Sequence, residues 1–312
     1  MNFCSEVSID HRKGVKNLIR VHRTGRLAYF GFTTRSCRDS PIFIPRIKSV
    51  ELMGKVISIV NQKGGTSKSA IAVNLAAGLS RMGKKVLVID ADPQADASAS
   101  LGYRETDDSS ETLTELFGNV LNDEELPDGL YINHQEEGVD IIVSNIDLAG
   151  MEVLLVNAMS REYVLKQIID RVKDGYDAVI IDTMPSLGML TINSLAAADE
   201  VIIPVEASYL PIKGLQKLLQ TVGRIRKQIN PGLQVGGIVF TMVDIRTREA
   251  RENMEILRGG YGDSIKIFDT YIPASVRMKE CCKEGKSIYA YAPRSQVAMA
   301  YENLTGEIGG GL

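Results

Sequence analysis

Two hydrophobic periods alternate along most of this chain. Short, continuous apolar runs at 56–60, 85–90, 139–143, 178–182, 200–205 and 235–241 are rich in Val and Ile, which predicts strands buried on both faces. Between them the apolar residues recur at helical spacing. Ala72, Leu75, Ala76, Leu79 and Met82 form one such stripe, closed by Gly83, and residues 161–173, 212–229 and 248–257 carry others. This alternation predicts an α/β fold: a mainly parallel, doubly wound sheet with helices on both faces. Ligands of such sheets gather at the carboxyl ends of the strands, where the loops after Val60, Ile89, Ile181 and Phe240 emerge. The first 52 residues break the pattern. They mix basic residues, glycines and short apolar pieces, and Pro41 and Pro45 interrupt the one β-like run. The expectation is an extended or disordered arm over 1–52, followed by one domain over 53–312.

The loop after the first confident strand carries the strongest chemistry. Lys63-Gly64-Gly65-Thr66-Ser67-Lys68-Ser69-Ala70 runs from a strand into an amphipathic stretch. Adjacent glycines let backbone N–H groups turn toward an anion, Lys68 can neutralise phosphate oxygens, and the Ser69 hydroxyl can ligate Mg²⁺. The familiar pattern G-x-x-x-x-G-K-[ST] nevertheless fails, because its glycines fall on Gln62 and Ser67. Lys63 is an additional lysine in need of a role. Asp90-Ala91-Asp92 and Asp182 follow two other strands, where a carboxylate can hold Mg²⁺ through water or orient an attacking water.

Bulk properties narrow the class. With 312 residues, 44% hydrophobic and 24% charged, the composition is that of an ordinary globular protein. No apolar run approaches the roughly 20 residues of a membrane span, and the N-terminus lacks the apolar core of a secretory signal, so a cytoplasmic location is expected. The net charge of −3 is uneven. The first 52 residues hold ten Lys/Arg against four Asp/Glu, or +6, leaving −9 for the remainder. Affinity of the main domain for nucleic acid would therefore need a local patch. Lys213, Lys217, Arg224, Arg226 and Lys227 supply one stretch without acidic residues. The four cysteines, two of them adjacent (Cys281 and Cys282), make neither a disulfide framework nor a metal spacing, and they read as reduced, incidental thiols. His11, His22 and His134 are scattered and receive no role.

With these motifs in order, the chain resembles the ParA/MinD group of P-loop ATPases, whose deviant Walker A motif is K-G-G-x-x-K-[ST], and within it the ParA/Soj partition proteins. Asn61 to Gly65, Val86 to Gln94, Ile181 to Gly188, Thr241 to Thr247 and Ile272 to Arg277 carry the likeness, which runs from about Gly54 to about Tyr301. The resemblance implies that Lys63 is the signature lysine reaching the phosphates of a partner subunit. It likewise implies that residues 63–70 cradle the nucleotide, that Lys68 is the Walker lysine and that Ser69 is the Mg²⁺ ligand. Asp92 is then the switch residue for hydrolysis, and Asp182 acts on Mg²⁺ through water. Pro273 and Ser275 fall in the adenine-contacting loop, and Arg246 and Arg277 where such ATPases bind DNA without sequence preference. ATP and Mg²⁺ as cofactors, an ATP-dependent homodimer, nonspecific DNA, a ParB-like partner and a nucleoid-associated location are implied too. Two opposed phosphate sites repel, and a lysine donated by each subunit offsets that charge only when ATP is present.

Two departures from the family pattern are Ser67, where glycine is usual, and Met184, where the first of two prolines is usual. ATP binding is expected to persist, with slow turnover. The main alternatives are a MinD-like membrane regulator, which ends in a basic amphipathic helix not expected of residues 305–312, and a non-hydrolysing nucleotide-dependent regulator. Nitrogenase-reductase-type chemistry lacks its cysteine pattern here. The functional protein is expected to begin at Met53, with a nucleic-acid-binding arm as the competing view of residues 1–52.

Overall fold

The computed structural model describes residues 6–9, 17–21, 27–30, 54–207 and 212–310. The chain divides into two compact units, Met1–Leu52 and Met53–Leu312. In the first unit three short strands, β1 (Glu6–Ile9), β2 (Asn17–Val21) and β3 (Leu27–Phe30), pair as an antiparallel sheet. The rest of the expected arm lies outside the described residues.

The second unit is built on seven strands: β4 (Lys55–Ile59), β5 (Val86–Ala91), β6 (Asn133–His134), β7 (Val139–Ile142), β8 (Ala178–Thr183), β9 (Glu200–Glu206) and β10 (Gln234–Thr241). Their spatial order is β10-β9-β4-β8-β5-β7-β6, parallel throughout except for the β6–β7 edge. Side chains alternate between two cores. Val56, Leu87, Ile89, Val179 and Ile181 face one side, and Ile57, Ile59, Val86, Val88 and Ile180 face the other. That double burial is why these runs are apolar at most positions instead of alternating.

The helices are α1 (Lys68–Arg81), α2 (Asp96–Ser100), α3 (Leu113–Leu121), α4 (Leu148–Val156), α5 (Val164–Asp170), α6 (Met189–Ala197), α7 (Ile212–Gln228), α8 (Arg248–Tyr261), α9 (Val276–Glu284), α10 (Ile288–Tyr291) and α11 (Gln296–Gly309). Helix α1 follows the predicted stripe except at Met82, which caps the helix and is exposed. The stretch predicted as one helix over 161–173 is instead a 3-10 turn at Arg161–Tyr163, then α5, then a second 3-10 turn at Lys173–Gly175. At the glycine-rich end α11 continues to Gly309. It does so by packing: Val297, Tyr301, Leu304 and Ile308 are buried in the core that α1 shares, and a Cβ on Gly309 would lie 3.1 Å from Leu79. No basic residue follows Thr305, and among the described residues no helix is long and apolar enough to cross a membrane.

Candidate active site

Residues 60–67 leave the end of β4 inside the sheet and are tied to β9 and β10 on one side of it. Val60 N donates to Ile202 O (3.0 Å) and Asn61 Nδ2 to Pro204 O (2.5 Å), so β9 anchors the start of the loop. Lys63 N donates to Asn61 Oδ1 (3.0 Å), an Asx turn. Thr66 Oγ1 donates to Lys63 O (3.3 Å), and Thr241 Oγ1, at the end of β10, donates to Thr66 O (3.2 Å). Gly65 has φ 72, so its conformation favours glycine although nothing lies within 4 Å of a Cβ there; Gly64 has room for a side chain, with only Pro185 at 3.9 Å. Ser67 also has a left-handed backbone, φ 66 and ψ 29, and its side chain makes no capping bond to α1. Thr66 and Lys68 are buried, Ser69 and Ala70 half-buried, in the turn where a helix N-terminus presents its unpaired N–H groups to an anion.

Carboxylates surround Lys68. Burial pushes its ammonium pKa down, while Asp182, Asp92 and Asp96 pull it up. Asp182 is the last but one residue of β8 and is fully buried, and burial followed by the neighbouring Asp90 raises its carboxyl well above the usual range. Neither Asp182 oxygen receives a hydrogen bond of good geometry among the described residues, although the Ser69 hydroxyl and Lys68 lie near enough to favour its charge. Buried oxygens without partners are costly, so this carboxylate fits a site completed by a cation or its bound water. No cluster of three or more His, Cys, Asp or Glu able to hold a metal occurs among the described residues. A cation beside Ser69 and Asp182 would therefore draw other ligands from water and phosphate, which suits Mg²⁺.

Asp90 pairs in register with Asp182 on the adjacent strand, but its role is different. It accepts from Ser98 N (2.8 Å), Ser98 Oγ (2.7 Å) and Asp92 N (3.2 Å), pinning the segment that carries Asp92 onto the end of β5. Burial pushes its carboxyl up to about 7, against these hydrogen bonds. The sequence offered only its strand-terminal position as a signal for this. Asp92 is itself buried, and its Oδ1 accepts from Gln94 N (3.0 Å).

The remaining expected residues are distributed around this centre. Lys63 Nζ is paired with Glu206 at the end of β9 (2.5 Å). Met184 is half-buried against the core beyond Asp182. The stretch containing Pro273 and Ser275 hooks onto the chain just past β10: Val243 N donates to Ile272 O (3.0 Å) and Ala274 N to Val243 O (3.1 Å). It thus connects through β10 to Thr241, the residue bonded to the phosphate loop. Arg246 is exposed and makes a bidentate pair with Asp244, Nε to Oδ1 and Nη2 to Oδ2 both at 2.8 Å; these bonds hold the Asp244 carboxyl down at about 2. Arg277 is exposed in the first turn of α9.

A family model described as "AAA domain" matches residues 54–235. The sporulation initiation inhibitor protein Soj of Bacillus subtilis is 40% identical over 256 residues, 82% of this chain and 98% of that protein. The chromosome-partitioning ATPase Soj of Treponema pallidum is also 40% identical, over 82% and 97%. Among solved structures, cobyrinic acid a,c-diamide synthase of Mycobacterium smegmatis with a bound ATP analogue and magnesium aligns with TM-score 0.70 at 30% identity, over 81% of this chain and 93% of that one. The cell division ATPase MinD of Pyrococcus furiosus aligns with TM-score 0.64 at 26% identity, over 83% and 100%. The chain belongs to the Soj/ParA family of chromosome-partitioning P-loop ATPases.

Proposed function

We propose that residues 53–312 form an ATPase domain that binds Mg²⁺ and ATP, dimerises through the nucleotide, binds DNA without sequence preference and drives partition of DNA with a ParB-like partner at the nucleoid. The observation that carries this reading is the buried Asp182, which receives no hydrogen bond of good geometry and lies beside Lys68 and Ser69, at the mouth of a loop that already carries a second lysine. Residues 63–70 would hold the phosphates with backbone N–H groups and Lys68, and Ser69 with Asp182 would hold Mg²⁺. The cation supplies charge neutralisation between the phosphates. Asp92, kept in place by the Asp90–Ser98 anchor, would orient the attacking water. Lys63 rests on Glu206 within its own subunit and would exchange that carboxylate for the phosphates of a partner. Each exchange trades one anion for another of higher charge, so dimerisation becomes conditional on ATP.

Light scattering with Mg·ATP, with ADP and without nucleotide tests this. The expected result is a dimer with ATP only, abolished in Lys63→Ala while calorimetry still detects Mg·ATP binding. A protein without Mg·ATP affinity, or a Lys63→Ala variant that dimerises as the wild type does, contradicts the proposal.

A further inference from the structure

Helix α4 turns an apolar face to solvent. Its sequence, from Leu148 to Val156, holds a single charged side chain, Glu152. At 3.6 residues per turn Leu148, Met151, Glu152 and Leu155 fall on one side, and these are its buried and half-buried positions. The other side, roughly half of the circumference, consists of Ala149, Gly150, Val153, Leu154 and Val156, all exposed. Val153 is 71% exposed and Leu154 57%, and Ile146 before the helix and Met159 after it are exposed as well. No other helix or strand among the described residues exposes more than one large apolar side chain. Single exposed apolar residues are ordinary, whereas a group of them on one element marks a contact surface. A helix apolar all round is one that something covers.

This segment is fastened to the candidate active site at two points. Strand β7 is parallel to β5, β5 to β8 and β8 to β4, so residues 143–147 leave the sheet on the same rim as the phosphate loop. There Ser144 N donates to Ser98 Oγ (3.1 Å), the hydroxyl that holds Asp90. Further along, the Glu152 carboxylate accepts from Met189 N (2.8 Å) and Leu190 N (3.0 Å), and so caps α6 from a neighbouring helix, since the residue before α6 is Gly188. A Cβ on Gly188 would lie 2.6 Å from both Glu152 oxygens. The loop after Asp182 leads into α6, and its Pro185 is what a Cβ on Gly64 of the phosphate loop would meet, at 3.9 Å. Helix α4 is thereby held to the loops that carry Asp92 and Asp182. With both Glu152 oxygens occupied, it presents no charge outward.

The chemistry of the face selects its occupant. DNA requires cations, and a lipid surface requires a helix whose polar side is basic. The exposed arc of α4 has no cation. The ionic groups that flank it are the acidic Asp147 and Glu162, and Arg161 is occupied by Glu162 (Nε to Oε1, 3.1 Å) and by Val156 O. An uncharged apolar arc matches a dehydrated protein surface, and the rim on which it begins is the rim that carries Lys63. We propose that the exposed face of α4 is an interface with a second copy of this chain, buried when Mg·ATP bridges the two phosphate loops. The inference rests on the ATP-dependent dimer proposed above, and it adds an apolar contact to one otherwise made through lysine and phosphate. It also gives the nucleotide a second route to the interface: the Asp182 loop sets the start of α6, Glu152 ties α4 to that start, and α4 carries the apolar face.

Analytical ultracentrifugation of the full chain, with Mg·ATP, ADP or no nucleotide, tests this on wild type, Val153→Glu, Leu154→Glu and Met299→Glu. Met299 is a comparably exposed residue of α11, which packs on the opposite side of the sheet. Each glutamate on α4 is expected to raise the dissociation constant of the Mg·ATP dimer at least about tenfold, because the interface would bury it without a partner. Met299→Glu is expected to dimerise as wild type does, and all three variants to keep the wild-type thermal midpoint and to bind Mg·ATP in calorimetry. Without any change to the face, amides of residues 149–157 are expected to exchange more slowly in the wild-type Mg·ATP dimer than in Lys63→Ala with Mg·ATP. A dimer of unchanged affinity in both α4 variants overturns this inference alone. A wild type that stays monomeric in every nucleotide state contradicts the proposed dimer and this face together. A dimer that forms without nucleotide and is lost in the α4 variants upholds the face and contradicts its dependence on ATP. Pelleting with phosphatidylglycerol vesicles by wild type but not by the α4 variants would assign the face to a lipid surface and overturn the inference.

Discussion

Ser67 concentrates the strain of the phosphate loop in one residue. Its left-handed backbone costs an ordinary side chain roughly 1–2 kcal/mol, and its hydroxyl returns nothing as a helix cap. Glycine would remove that cost while adding about 0.4–1 kcal/mol of unfolded-chain entropy, so Ser67→Gly is expected to stabilise the domain by roughly 0.5–1 kcal/mol. A thermal melt checks this, with the midpoint rising by about 1–4 °C; a lower midpoint contradicts it. Asp90 makes a pH-dependent contribution. Its folded pKa of about 7 lies above an ordinary carboxylate value, so the folded protein retains a proton that the unfolded chain releases between roughly pH 4 and 7. Its stabilisation is complete below that window and is lost as pH rises through about 7. The stability advantage of wild type over Asp90→Asn is therefore expected to shrink between pH 5 and pH 8 in denaturant titrations, and parallel profiles contradict the assignment. The partners of these groups were invisible in the sequence. Lys63 and Glu206 are 143 positions apart, and nothing local marks Ser98 as the donor that Asp90 needs or Asp244 as the clamp on Arg246.

At the scale of elements, strands were legible and their neighbours were not. Double burial keeps the central strands mostly apolar and therefore easy to find, although the strand predicted over Ala178 to Asp182 runs one polar residue further, to Thr183. Two-residue β6 is too short to carry a pattern, and spatial order depends on crossovers that leave no periodic trace. Helix ends set by distant groups were equally hidden. Glu152 of α4 accepts from Met189 N (2.8 Å) and Leu190 N (3.0 Å), holding the start of α6 just beyond the Asp182 loop. The seat of α9 on Gly102 is another case. Gly285→Ala would combine a left-handed conformation with a backbone approach that a methyl group does not fit. The expected cost is at least about 2 kcal/mol, read as a lower unfolding midpoint in urea at unchanged slope. An unchanged midpoint would show that α9 is not held to α2 as the structure has it.

For the whole molecule, the charge balance decides how DNA could be held. Residues beyond the first 52 carry a net charge of −9, so attraction cannot be diffuse and must come from a face. Lys213, Lys217, Arg224, Arg226 and Lys227 are all exposed on α7, while its buried side is Leu215, Leu218, Val222 and Ile225. Arg246 starts in a bidentate pair with Asp244 and, in the proposed function, would have to exchange it for a phosphate, which would make a single subunit a weak binder. Dimerisation would double such contacts, and affinity and salt dependence both rise with each phosphate neutralised. The most direct measurement is co-sedimentation with DNA of arbitrary sequence, in the presence of Mg·ATP, ADP or no nucleotide, for wild type and Arg246→Ala/Arg277→Ala over a range of salt. The account predicts sedimentation with Mg·ATP alone, weakened more than about tenfold in the double variant, with a shallower salt slope from the loss of up to four phosphate contacts per dimer. Binding that ignores both the nucleotide and these two arginines would contradict it.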